Sequence, residues 1–148
     1  DVLVDVLERV VGFDVVVLLQ PTSPLRTAED IDSCINLMMQ DNAPSVVSLC
    51  AVEDHPALVV KFRNENQITP FLPHSSSQSL RRQDLPEAFR LNGAVYAAKI
   101  PWLFRERSFT AQGSVGFVMP KRRSVDIDER DDLFTAEQLL SDQIYSKP

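Results

Sequence analysis

Glycine is scarce, with 4 in 148 residues. A Gly-rich phosphate cradle or a nucleophile elbow could hardly be hidden in such a chain, and neither pattern occurs. Cysteine is scarcer still. Cys34 and Cys50 lack C-x-x-C spacing and His neighbours, which speaks against a zinc site or disulfide framework and fits a reducing, cytoplasmic setting. His55 and His74 stand apart from any Cys or acidic pair at metal-ligand spacing. The longest wholly apolar run, 15–19, falls far short of the roughly 20 residues a membrane helix needs. Positive charge is also in deficit: 15 Lys and Arg face 21 Asp and Glu, for a net charge of −6. Such a chain repels phosphate unless cations are placed locally, so nucleic-acid binding is not its main task.

What remains is ordinary globular material, 44% hydrophobic and 24% charged, at a length suited to one domain spanning 1–148. Val2, Leu3, Val6, Leu7, Val10 and Val11 recur at helical steps ahead of Gly12. The run Val15-Val16-Val17-Leu18 has no polar alternation, as expected of a central strand buried on both faces. Ile31, Cys34, Ile35 and Met38 mark a second helix, with Thr27 as N-cap and Asp30 near the capping-box position. A buried strand follows over 45–51, then a hairpin around Arg63-Asn64-Glu65-Asn66. The polar stretch 73–86 is long enough to be a functional or partner-ordered loop. Further strands are expected over 94–98 and 114–119, a short helix over 101–106 and a closing helix over 133–144. Strands alternating with helices, plus one hairpin excursion, point to an α/β layer structure with a mostly parallel sheet.

Three segments can carry chemistry. Gln20-Pro21-Thr22-Ser23-Pro24-Leu25-Arg26 follows the first strand, where open α/β sheets bind ligands. Its amide, hydroxyls and guanidinium suit a polar or anionic ligand; equally, the segment could be a stiff turn that caps the next helix. Arg81, Arg82 and Arg90 are grouped ahead of Leu91-Asn92-Gly93-Ala94-Val95-Tyr96, which makes a local anion trap or a solvated basic loop. In Ser124-Val125-Asp126-Ile127-Asp128, extended geometry turns Asp126 and Asp128 to one side. Two carboxylates so placed suit Mg²⁺, or else complement the dipole of the helix that follows. Trp102 reads as core packing.

Taken together, L-L-Q-P-T-S-P-L-R at 18–26, R-R-Q-D-L-P-E-A-F-R-L-N-G-A-V-Y at 81–96 and S-V-D-I-D at 124–128 resemble the acylneuraminate cytidylyltransferase family. The resemblance implies a three-layer nucleotide-diphospho-sugar transferase fold of GT-A, Rossmann-like type. It also implies transfer of CMP from CTP to a sialic-type nonulosonic acid, with release of pyrophosphate and with Mg²⁺ as cofactor. Carried over residue by residue, Gln20, Thr22, Ser23, Arg82, Asn92 and Tyr96 would line the sugar pocket, and Arg82 would meet the substrate carboxylate. Phe109 would pack on the acyl group. Asp126 and Asp128 would hold the metal and, with Arg82, serve catalysis. The hairpin and loop at 57–82 would dimerise the protein, giving a homodimer.

Family members open with a strand and a basic, Gly- and Lys-rich loop that cradles CTP, and nothing here corresponds to it. A family Lys after the His-Pro pair is replaced by Ala57 and Leu58, with Lys61 following later. The resemblance therefore implies the carboxyl-terminal portion of the enzyme, with little turnover alone. Two alternatives are a non-catalytic dimerising sugar-binding remnant and a cytidylyltransferase for an octulosonate. The motifs do not separate sialic, legionaminic and pseudaminic acids.

Overall fold

The structure is a computed structural model that describes residues 2–9, 11–72 and 81–145. The part of the expected 73–86 loop that falls on 73–80, with His74, lies outside the described residues. The chain divides into two compact units, one made of 1–50 with 91–148 and the other of 51–90.

The larger unit opens with α1 (Val2–Arg9), β1 (Val15–Leu18) and α2 (Ala28–Gln40). Thr27 is the N-cap of α2 in the expected way. Its hydroxyl accepts from the Asp30 amide while the Asp30 carboxylate accepts from the Thr27 amide, so two otherwise orphaned donors are satisfied reciprocally. β2 (Ser45–Ala51) follows, and the chain later returns through β5 (Phe89–Lys99), α3 (Ile100–Glu106), β6 (Val115–Val118) and α4 (Arg130–Tyr145). The four strands order as β1-β5-β2-β6. Val15 and Val17 pack into a core with Cys34 and Met38 of α2, while Val16 packs with Leu7 of α1 and with Trp102 and Leu103 of α3. Helices therefore cover β1 on both faces, which is why its sequence does not alternate.

Two expectations are corrected. The sheet is mixed, with β2 and β6 parallel but β1 antiparallel to β5. Parallel neighbours need a crossover connection, usually with a helix, and the connection from β2 to β6 contains α3. β1 is also not central: it stands first in the order, and its four residues are half-buried. An apolar run reports cover on two faces and carries no information about the strand's neighbours.

In the smaller unit, β3 (Val60–Phe62) and β4 (Ile68–Pro70) form the antiparallel hairpin, with Phe62 opposite Ile68. Its turn is closed by the Arg63 amide donating to the Gln67 carbonyl at 2.7 Å and the Gln67 amide to Asn64 Oδ1 at 3.2 Å.

Candidate functional site

Polar groups converge where the end of β1 meets Gly93 of β5. Gly93 adopts φ +74°, a left-handed conformation that glycine takes without strain. A Cβ built there would overlap Gln20 Oε1 and lie 3.0 Å from Ser23 Oγ and 3.2 Å from Asp126 Oδ2. Glycine is thus required twice, by conformation and by the approach of three side chains from two other segments.

The loop after β1 is fixed by internal bonds. Arg26 Nη1 donates to the carbonyls of Gln20, Ser23 and Ala94 at 2.6, 2.9 and 3.3 Å. That nitrogen staples the loop to β5, although sequence suggested a fork for an anionic ligand; burial lowers the guanidinium pKa from its ordinary value. Ser23 Oγ is buried and donates to the Asn92 carbonyl at 3.2 Å. The Thr22 carbonyl accepts from the Ile127 amide at 2.8 Å, which ties the acidic segment to the same loop.

Between these ties lies Asp126. Its Oδ1 is, among the described residues, the buried side-chain oxygen left without a hydrogen-bond partner. A buried carboxylate oxygen is costly to leave unpaired, and one that no protein donor reaches is met by a water or a bound cation. Asp128, two residues on, is exposed, and its amide donates to Asp132 Oδ2 at 3.1 Å. Asp132 also accepts from the Glu129 amide at 2.9 Å and so closes the first turn of α4. No group of three or more His, Cys, Asp or Glu fit to hold a metal occurs among the described residues. Two carboxylates at most suit a hard cation such as Mg²⁺, which keeps waters and takes substrate phosphates as its other ligands.

Tyr96 completes the cluster. Burial and then the negative charge of Asp126 raise its phenol pKa above the ordinary value, against a backbone hydrogen bond from Gly93. The phenol therefore stays protonated at neutral pH and can donate to an acceptor. Its ring lies 5.5 Å from that of Phe109, tilted by 55°.

Of the residues singled out from sequence, Gln20, Ser23, Tyr96 and Asp126 are brought together around Gly93, while Thr22 enters through its backbone and Phe109 through the Tyr96 ring. Asn92 is wholly enclosed beneath them. Arg82 belongs to the smaller unit, where it donates to the Glu53 carbonyl and lines a cavity of about 220 Å³ with His55, Glu87 and Phe89. Sequence reasoning missed the ion pair of Asp30 with Arg123, at 2.7 and 2.8 Å, which anchors the turn before Asp126 to the start of α2. It also missed Ser48. A serine inside the apolar strand S-V-V-S-L-C-A was the available signal for both a buried partner and a polar neighbour.

No family model matches the chain. Among curated proteins it is similar to the N-acylneuraminate cytidylyltransferase of Streptococcus agalactiae serotype V, with 34% identity over 116 residues, 78% of this chain and 28% of that protein. The protein of the same name from serotype III is 33% identical over the same shares. The post-translational flagellin modification protein B of Campylobacter coli is 20% identical over 131 residues, 88% of this chain and 54% of that protein. The chain thus spans 28% of the length of the first two relatives.

Proposed function

We infer from this kinship that the chain belongs to the N-acylneuraminate cytidylyltransferase family, and we propose that the protein transfers CMP from CTP to the anomeric hydroxyl of a sialic-type sugar acid, releasing pyrophosphate. The observation that carries the chemistry is the Asp126 carboxylate, whose Oδ2 approaches Gly93 where Gln20 and Ser23 also approach it and whose Oδ1 is buried without a protein donor. In this reading Asp126 and Asp128 hold Mg²⁺, which when bound neutralises charge on the phosphates during transfer. The protein's own groups supply position. Gln20 and Ser23 present an amide and a hydroxyl to the sugar acid, the phenol of Tyr96 donates to it, and Phe109 supports the Tyr96 ring. Gly93 leaves the space these groups need.

The same reading makes the hairpin a homodimer contact. Val60, Phe62 and Ile68 are 52%, 73% and 61% exposed, and a two-stranded hairpin is marginal without cover.

Pyrophosphate release from CTP, followed with and without N-acetylneuraminate and across Mg²⁺ concentrations in a longer protein that joins this chain to a CTP-binding loop, tests the proposal. Activity should require both the sugar acid and the metal, and Asp126→Asn should lower it by about 100-fold. Near-normal turnover in that variant, or pyrophosphate release indifferent to the sugar acid, would refute it.

A further inference from the structure

The enclosed amide of Asn92 has no capacity left for a ligand. A primary amide offers two donor hydrogens and an acceptor oxygen with two lone pairs. Here Oδ1 accepts from Ser48 Oγ at 2.6 Å and from the Ala94 amide at 3.2 Å, while Nδ2 donates to Ser124 Oγ at 2.9 Å and to Met119 Sδ at 3.4 Å. The direction of each bond is fixed by its neighbours. Ser124 Oγ donates its hydrogen to the Pro120 carbonyl at 2.9 Å and must therefore accept from Asn92. The Ala94 amide can only donate, so the oxygen of the Asn92 amide faces it. Ser48 Oγ accepts from the Val95 amide at 2.7 Å, which leaves its own hydrogen for Asn92 Oδ1 rather than for the more distant Val95 carbonyl at 3.1 Å.

This network reaches the acidic segment at a definite place. Ser124 is two residues before Asp126, and Ile127, held by the Thr22 carbonyl, is one residue after it. Asp126 therefore sits between two anchors, one of which is secured by Asn92 and, through it, by Ser48 of β2. The Asn92 carbonyl also receives Ser23 Oγ, so the same residue steadies the loop on the other side of Gly93. A carboxylate oxygen kept buried without a donor must be held against relaxing toward one, and this frame is what holds it.

We propose that Asn92, with Ser48 and Ser124, is a positioning residue that fixes the Asp126 carboxylate for a divalent cation and does not itself contact the sugar acid. The proposal rests on the reading of Asp126 as a metal ligand, and its test separates the two. Mn²⁺ alone is titrated into the 148-residue chain, with free ion followed by electron paramagnetic resonance. Ser124→Ala should weaken Mn²⁺ binding by about tenfold, and Ser124→Thr, which keeps the hydroxyl, should restore it. In the activity assay, Ser124→Ala and Asn92→Ser should raise the metal requirement and leave KM for the sugar acid within about twofold of the parent. Unchanged Mn²⁺ affinity in Ser124→Ala, or a raised sugar-acid KM with metal affinity intact, would overturn the proposal. If Asp126→Asn leaves Mn²⁺ binding untouched, the metal reading fails, and hydrogen exchange at the Ile127 amide decides the positioning role alone. Exchange about tenfold faster in Ser124→Ala at equal global stability supports it; unchanged exchange overturns it.

Discussion

Gly93 shows how much one residue can decide. Any side chain there meets a left-handed backbone and three polar groups at once, so Gly93→Ala has no cheap relaxation. We expect a loss of about 1–2 kcal/mol in urea unfolding, with greater damage to activity than to stability because Gln20 must move first. Equal, small losses in both would show that the loop yields easily. Asp30 makes the second case. Burial pushes its pKa up, but the Arg123 guanidinium and the Thr27 amide outweigh burial and hold it below the ordinary 3.8. Because the folded value is the depressed one, the pair's contribution is present above pH 3.8 and is lost as pH falls through the folded value. Unfolding midpoints measured below pH 4 should therefore fall more steeply in the parent than in Asp30→Asn, which should itself be less stable at pH 7 by about 2–3 kcal/mol.

At the scale of the element, α2 owes its start to a reciprocal cap and its place to one apolar stripe. Thr27→Ala removes the hydroxyl that receives the Asp30 amide, and should cost about 1 kcal/mol of stability by thermal or urea unfolding. An unchanged midpoint would mean that water replaces the hydroxyl without loss. The cap was legible because Thr27 and Asp30 lie three residues apart, a local spacing. β5 was not legible in the same way. Its expected length covered 94–98, yet the strand runs from Phe89 to Lys99 and admits a left-handed glycine within it. Asn92 and Gly93 read locally as a loop; their conformation is set by Ser48, Ser124 and Ser23, which are distant in sequence.

At the scale of the molecule, the smaller unit carries the chain's most exposed hairpin hydrophobics among the described residues. If that face pairs two copies, the parent should sediment as a dimer, and Phe62→Ser combined with Ile68→Ser should shift it to monomer with each unit still folded. A monomeric parent at micromolar concentration would remove the hairpin from any role in assembly. No helix among the described residues is long and apolar enough to cross a membrane, in keeping with the short apolar runs of the sequence.

Sequence by itself determined the alternation of elements, the helix cap, the two-faced cover of β1 and the residue types of the site, because each depends on neighbours within a few positions. It also carried the family resemblance, since Q-P-T-S-P-L-R and S-V-D-I-D are short contiguous motifs. Only the tertiary structure decided the mixed sheet, the edge position of β1, the use of Arg26 as a staple and the enclosure of Asn92. Each of those turns on which strands lie side by side. A guanidinium or an amide has the same donors whether it faces a ligand or three buried carbonyls, and the fold alone determines which it meets.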